Sequence, residues 1–113
     1  MTLLLVGCSN NILVKNINGN DADELINNNN AIIIDVRSRA EYESGHIKNS
    51  INIPIDTIDL NELEELVTSK DNNIIVYCAS GGRSKNAAMT IANWGYVNVY
   101  DLGSINNWEG EIE

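Results

Sequence analysis

Two runs of β-branched residues constrain this chain most, Ala31-Ile32-Ile33-Ile34-Asp35-Val36 and Ile74-Ile75-Val76-Tyr77. Neither alternates apolar with polar residues, so each predicts a strand buried on both faces, as in a parallel sheet covered by helices. Between them the pattern predicts a short helix over residues 40–44, a small strand over 51–53 stopped by Pro54, and an amphipathic helix over 58–67. Before them lie a first strand over 12–17 and a helix over 22–28, capped by Asp21, with Leu25 and Ile26 inward. After Cys78 comes a turn of small residues, a helix from Ser84 to about Trp94 ended by Gly95, a strand over 97–101 and a short turn over 105–108. Alternation of this kind predicts an α/β fold with a mostly parallel central sheet and helices on both faces. At 113 residues the chain has the length of one domain, placed here over residues 12–113.

Charge excludes some functions. The formal net charge is −9 and the seven Lys and Arg are scattered, so no basic patch is present to hold nucleic acid. Asp56, Asp59, Glu62, Glu64 and Glu65 read as the solvated face of a helix rather than a metal site. Neither cysteine belongs to a Cys-x-x-Cys or Cys/His cluster with zinc spacing, and no cofactor is implied. A disulfide between Cys8 and Cys78, or Cys8 resolving an oxidised Cys78, depends on how the N-terminus packs.

The segment Cys78-Ala79-Ser80-Gly81-Gly82-Arg83-Ser84 lies between a buried strand and a helix start, at the carboxyl edge of the sheet where ligands of such folds sit. Its peptide N–H groups can point inward around one anion, and two glycines make so tight a cradle sterically possible. A thiol there meets the positive end of a helix dipole and several amide donors, which lowers its pKa from about 8.5 toward roughly 3.5 to 7.5. Arg83 offers a planar fork to an anion, and Lys85 adds positive charge nearby. The bland alternative is a small buried residue at a strand end followed by a turn. Strand, cysteine, glycines, arginine and helix in this order form a far more specific arrangement than any lone motif.

Over residues 12–108 the sequence resembles the rhodanese family. One block is Ile33-Ile34-Asp35-Val36-Arg37, Glu41-Tyr42, Gly45-His46-Ile47 and Asn52-Ile53-Pro54; the other is Ile75-Val76-Tyr77-Cys78 through Arg83-Ser84, then Gly95-Tyr96 and Val99-Tyr100. The resemblance implies a thiosulfate sulfurtransferase in which Cys78 becomes a persulfide by taking sulfane sulfur from thiosulfate or a related donor, then passes it to cyanide or a thiol. It implies that the amides of Ala79, Ser80, Gly81, Gly82, Arg83 and Ser84 stabilise the persulfide, with Arg83 closing the loop and orienting the donor. Asp35, Arg37, Glu41 and His46 then hold the loop after the second strand rather than react. The family pattern has paired glycines before its final turn, whereas Gly103-Ser104 stands here ahead of Ile105 and Trp108, so that wall of the pocket differs.

Two other functions fit the same elements. One is a phosphatase or arsenate reductase on this scaffold, but Cys78 and Arg83 enclose four residues where the related phosphatases enclose five, and the loop holds no leaving-group acid. The other is a sulfur carrier or interaction module, without turnover of its own, that serves a sulfur-relay protein.

The tail over residues 1–11 is separate in character. Met1-Thr2-Leu3-Leu4-Leu5-Val6 is too short to span a bilayer, and Leu5-Val6-Gly7-Cys8 resembles the end of a bacterial lipoprotein signal. That resemblance implies a lipid anchor at Cys8, membrane contact through it alone and an envelope location; the competing expectation is a frayed tail on a cytoplasmic protein.

Overall fold

A computed structural model describes residues 13–113. The tail with Cys8, and Ile12 of the expected first strand, lie outside the described residues.

Five strands and four α-helices alternate: β1 (Val14–Asn16), α1 (Gly19–Asn29), β2 (Ile32–Asp35), α2 (Arg39–Ser44), β3 (Ile51–Asn52), α3 (Leu60–Leu66), β4 (Asn73–Cys78), α4 (Gly82–Asn93) and β5 (Asn98–Ser104). Short 3-10 turns at Ile55–Thr57 and Ile105–Asn107 complete the chain. The strands form one sheet in the order β1-β5-β4-β2-β3, and every neighbouring pair is parallel. The mostly parallel sheet expected from the isoleucine runs is thus wholly parallel in its strands; the antiparallel pairing present is an isolated bridge, Ile47 to Ile112.

Successive side chains of a strand point to opposite faces, and the two central strands are apolar on both. Ile34, Val36, Ile74, Val76 and Val99 pack on one face with Leu63 and Val67 from α3 and its end, and with Ala87, Ala88 and Ile91 of α4. Ile33, Ile75, Tyr77 and Leu102 pack on the other with Ala22 of α1, flanked by Leu25 and Ile26. Helices therefore cover both faces, and removing each such Val or Ile from water contributes roughly 1.5–3 kcal/mol. The central strands β2 and β4 are the most deeply enclosed because two neighbours and two helical layers surround them.

Several boundaries differ from the sequence expectation, each for a local reason. Helix α1 is capped by Asn18, whose side chain accepts from the Asp21 amide at 2.8 Å, so Asp21 sits in the first turn instead of at the cap. Helix α3 begins at Leu60 behind an Asp59 cap. Helix α4 begins at Gly82, two residues before Ser84, because Gly81 adopts φ of 110° and turns the chain into the helix at once. Strand β5 runs on to Ser104, past an irregularity in its pairing with β4 between Val76 and Tyr77.

Candidate active site

Cys78 is the last residue of β4, and its register partner on β5 is Ser104. It therefore stands at the carboxyl edge of the sheet, where α4 begins. The side chain is 1% exposed and is a free thiol. Gly81 is the residue whose backbone a side chain would strain, and a Cβ at either Gly81 or Gly82 would meet no atom within 4 Å, so the space above the loop is open.

Two peptide groups aim at the sulfur: the Gly81 amide donates to Sγ at 3.0 Å and the Ser84 amide at 3.3 Å. Burial by itself pushes the Cys78 pKa up, because it penalises the thiolate, yet donations from the Ser84 side chain and backbone and from the Gly81 and Ser80 amides outweigh it. The thiol lies below its ordinary value as a result. The Ser84 hydroxyl has one proton to give, and it rests on the Gly81 carbonyl at 3.1 Å. Turning that proton to the sulfur strengthens the cradle only when the carbonyl releases it, so the backbone amides are the fixed part of the effect. Of the six loop residues expected to surround the sulfur, Gly81 and Ser84 hydrogen-bond to it, while Ala79, Ser80, Gly82 and Arg83 line the loop.

Arg83 does not face an empty mouth. Its guanidinium makes a two-pronged pair with Glu41 of α2, Nη1 to Oε1 at 2.8 Å and Nη2 to Oε2 at 3.0 Å. That arrangement holds the Glu41 carboxyl down at about 2, with the Arg83 hydrogen bonds as the leading cause and the Ser38 amide as the next. It also raises the Arg83 pKa, chiefly through Glu41, and the charge of Cys78 adds to the rise. Glu41 holds the loop after β2 through the Ser38 amide at 3.0 Å, and it also reaches across to the loop after β4.

The profile of the rhodanese-like domain matches residues 19–111, a span that includes this loop. The chain belongs to the rhodanese-like family. The Escherichia coli protein YibN is 34% identical over 87% of this chain and 69% of its own length. A tRNA uridine(34) hydroxylase from Photorhabdus laumondii is 34% identical over 71% of this chain, which spans 24% of that longer protein. Among solved structures, an Escherichia coli rhodanese described with anions superposes with a TM-score of 0.69 at 26% identity, covering 74% of this chain and 96% of that one. The chain is a member of a sulfurtransferase family with the fold of single-domain rhodaneses.

Within this rhodanese domain the first sequence block forms a buried scaffold beneath the loop. Tyr77, wholly buried, donates its hydroxyl proton to Asp35 Oδ2 at 2.5 Å and accepts from the Ile47 amide at 3.0 Å, with Ser50 Oγ at 3.2 Å. Burial and the Asp35 bond push Tyr77 up to about 12. Arg37 holds Asp35 through Nε and Nη2 and reaches the Gly45 carbonyl at 2.7 Å. His46 stacks on Tyr42 at 3.7 Å between ring centroids, and its Nδ1 lies 2.8 Å from the Tyr42 carbonyl oxygen. Asp35, Arg37 and His46 are thus engaged in hydrogen bonds and stacking beneath the loop.

One rhodanese-loop contact escaped the sequence reading. Ser104 donates its hydroxyl to the Ala79 carbonyl at 2.7 Å, which ties β5 to the loop. The departure from paired glycines at Gly103-Ser104 was the available signal. A cleft of about 660 Å³ lies elsewhere on the same edge, between the β1–α1 turn and Asn106 and Asn107, and its lining includes no thiol or hydroxyl nucleophile.

Proposed function

We propose that this domain is a sulfurtransferase that carries sulfane sulfur on Cys78 from thiosulfate or a related donor to a thiol or cyanide acceptor. The observation that carries the reading is the Cys78 sulfur held by inward amides at the start of α4. In the first half-reaction the thiolate attacks the outer sulfur of thiosulfate; the donor S–S bond breaks and its electron pair leaves with sulfite. In the second, the acceptor attacks the outer sulfur of the Cys78 persulfide and Cys78 departs as thiolate. No net oxidation of the protein occurs, so no redox cofactor is required.

The chain's own groups suit both halves. Amides at the first positions of a helix have no intrahelical acceptor, so Gly82 and Arg83 bring further donors to the outer sulfur beyond those that hold Sγ. Such oriented donors stabilise charge that grows during transfer, as an oxyanion hole does. A lowered thiol pKa supplies the nucleophile without a separate base.

A second reading, a sulfur carrier serving a partner protein, is supported by the likeness to one quarter of a larger hydroxylase, where a domain of this kind is a part and not the whole. Intact-protein mass spectrometry after thiosulfate exposure tests both. The expected result is one added sulfur atom that cyanide removes and that Cys78→Ser lacks. Repeated turnover with small donors favours the enzyme; a single loading that discharges only onto a protein favours the carrier. Absence of any adduct from thiosulfate and from persulfide donors, or an adduct persisting in Cys78→Ser, overturns the Cys78 persulfide.

A further inference from the structure

We propose that Glu41 sets donor specificity: by occupying the fork of Arg83 it makes the loop mouth a poor site for a dianion and selects a low-charge persulfide of a thiol over thiosulfate. This deepens the sulfurtransferase reading and rests on it.

The argument starts from the pair itself. Both prongs of the Arg83 guanidinium are filled by the Glu41 carboxylate, at 2.8 and 3.0 Å, and this is the geometry in which an arginine recognises an anionic ligand. Glu41 is itself fixed, because its Oε1 also accepts the Ser38 amide at 3.0 Å while Ser38 Oγ accepts the Glu41 amide at 3.2 Å, a capping box at the start of α2. A donor that would use Arg83 must displace a carboxylate held from two sides. The other guanidinium close by, Arg37, is consumed by the buried Asp35. What remains at the loop to attract an anion is the amide cradle and the exposed Lys85.

Charge balance then separates the donors. When the Cys78 thiolate attacks thiosulfate, three negative charges gather at the loop: one on Cys78 and two on the donor. They leave as the persulfide anion and the sulfite dianion. When it attacks the outer sulfur of a protonated persulfide, R–S–SH, a single negative charge is present throughout. The new bond is Cys78 S–S, the broken bond is the donor S–S, its electron pair leaves on R–S⁻, and the proton passes from the new persulfide to that thiolate. A mouth whose arginine is already neutralised serves the second reaction without penalty and the first poorly.

The test is steady-state kinetics with thiosulfate and with cysteine persulfide, on the full chain and on Glu41→Gln. Glutamine at this position keeps the capping box, since its amide oxygen still accepts the Ser38 amide, so the change removes charge and leaves the helix start. The expected result is a thiosulfate KM lowered about tenfold relative to that for cysteine persulfide, the scale of one charge-assisted hydrogen bond, with kcat for either donor changed little. Ser38→Ala breaks the cap but leaves the carboxylate, and is expected to leave the ratio of the two KM values where it was. Loading by both donors with that ratio unmoved by Glu41→Gln, or moved equally by Ser38→Ala, overturns the specificity role and leaves the sulfurtransferase reading intact. Failure of Cys78 to gain sulfur from either donor overturns the sulfurtransferase reading itself.

Discussion

At the scale of single residues, Cys78 combines two opposed effects. Burial disfavours its thiolate, and the Ser84 side chain together with the backbone amides of the loop favours it, with the donors jointly the stronger. The sign of the pH dependence follows. A thiol whose folded pKa lies below its unfolded value, about 8.5, contributes stability above that unfolded value and loses it as pH falls through the folded one. The sulfur-loading rate follows the same thiolate fraction, level above the folded pKa and declining as pH falls through it. Ultraviolet titration of thiolate absorbance in a Cys8→Ser background is expected to give a midpoint below that of free cysteine. Ser84→Ala is expected to move it up only modestly, because the backbone donor at residue 84 survives the change. A midpoint at or above the free-cysteine value would remove the amide cradle as the source of reactivity.

At the scale of elements, the question is what holds the loop after β4 against the segment at 45–50. Tyr77 does most of it, since one hydroxyl serves Asp35, the Ile47 amide and Ser50 within the core. Tyr77→Phe leaves these three buried groups short of a partner at nearly constant volume, and is expected to cost about 1–3 kcal/mol, read as a lower midpoint in urea unfolding. A midpoint unchanged from wild type would mean that water or rearrangement replaces the hydroxyl. The same elements show what was legible in advance. The isoleucine runs announced β2 and β4 nearly to the residue, because strands enclosed on both faces tolerate little else. The cysteine loop was equally plain, since glycine, arginine and helix follow Cys78 directly in the chain. What stayed hidden depends on distance or on backbone. The Glu41 partner of Arg83 is remote in sequence, and no local pattern marks a pair of that kind. The early start of α4 reverses the usual aversion of helices to glycine, because Gly81 and Gly82 are chosen there for the turn and not for helix propensity. The Asn18 cap lay within a run of asparagines and aspartates in which several residues were equally good candidates.

At the scale of the whole molecule, a charge of −9 on a chain whose radius of gyration is 14.2 Å bears on how a charged donor arrives. At 0.01 M ionic strength the screening length is about 30 Å, so an approaching dianion feels the entire acidic surface; near 0.15 M it falls to about 8 Å, and the donor feels only the loop and its neighbours. Long-range repulsion therefore slows thiosulfate at low salt, while a donor without net charge is indifferent to it. Presteady-state loading of Cys78 by thiosulfate is expected to accelerate severalfold as salt rises over this range, and loading by a neutral persulfide to stay level. Glu41→Gln alters a single charge out of the total, so it is expected to change the thiosulfate KM at every salt concentration while hardly changing the slope of rate against ionic strength. That separation distinguishes the contact at the loop mouth from the field of the surface. If the slope itself collapses in Glu41→Gln, the acidic exterior is irrelevant and the discrimination between donors resides entirely in the ion pair.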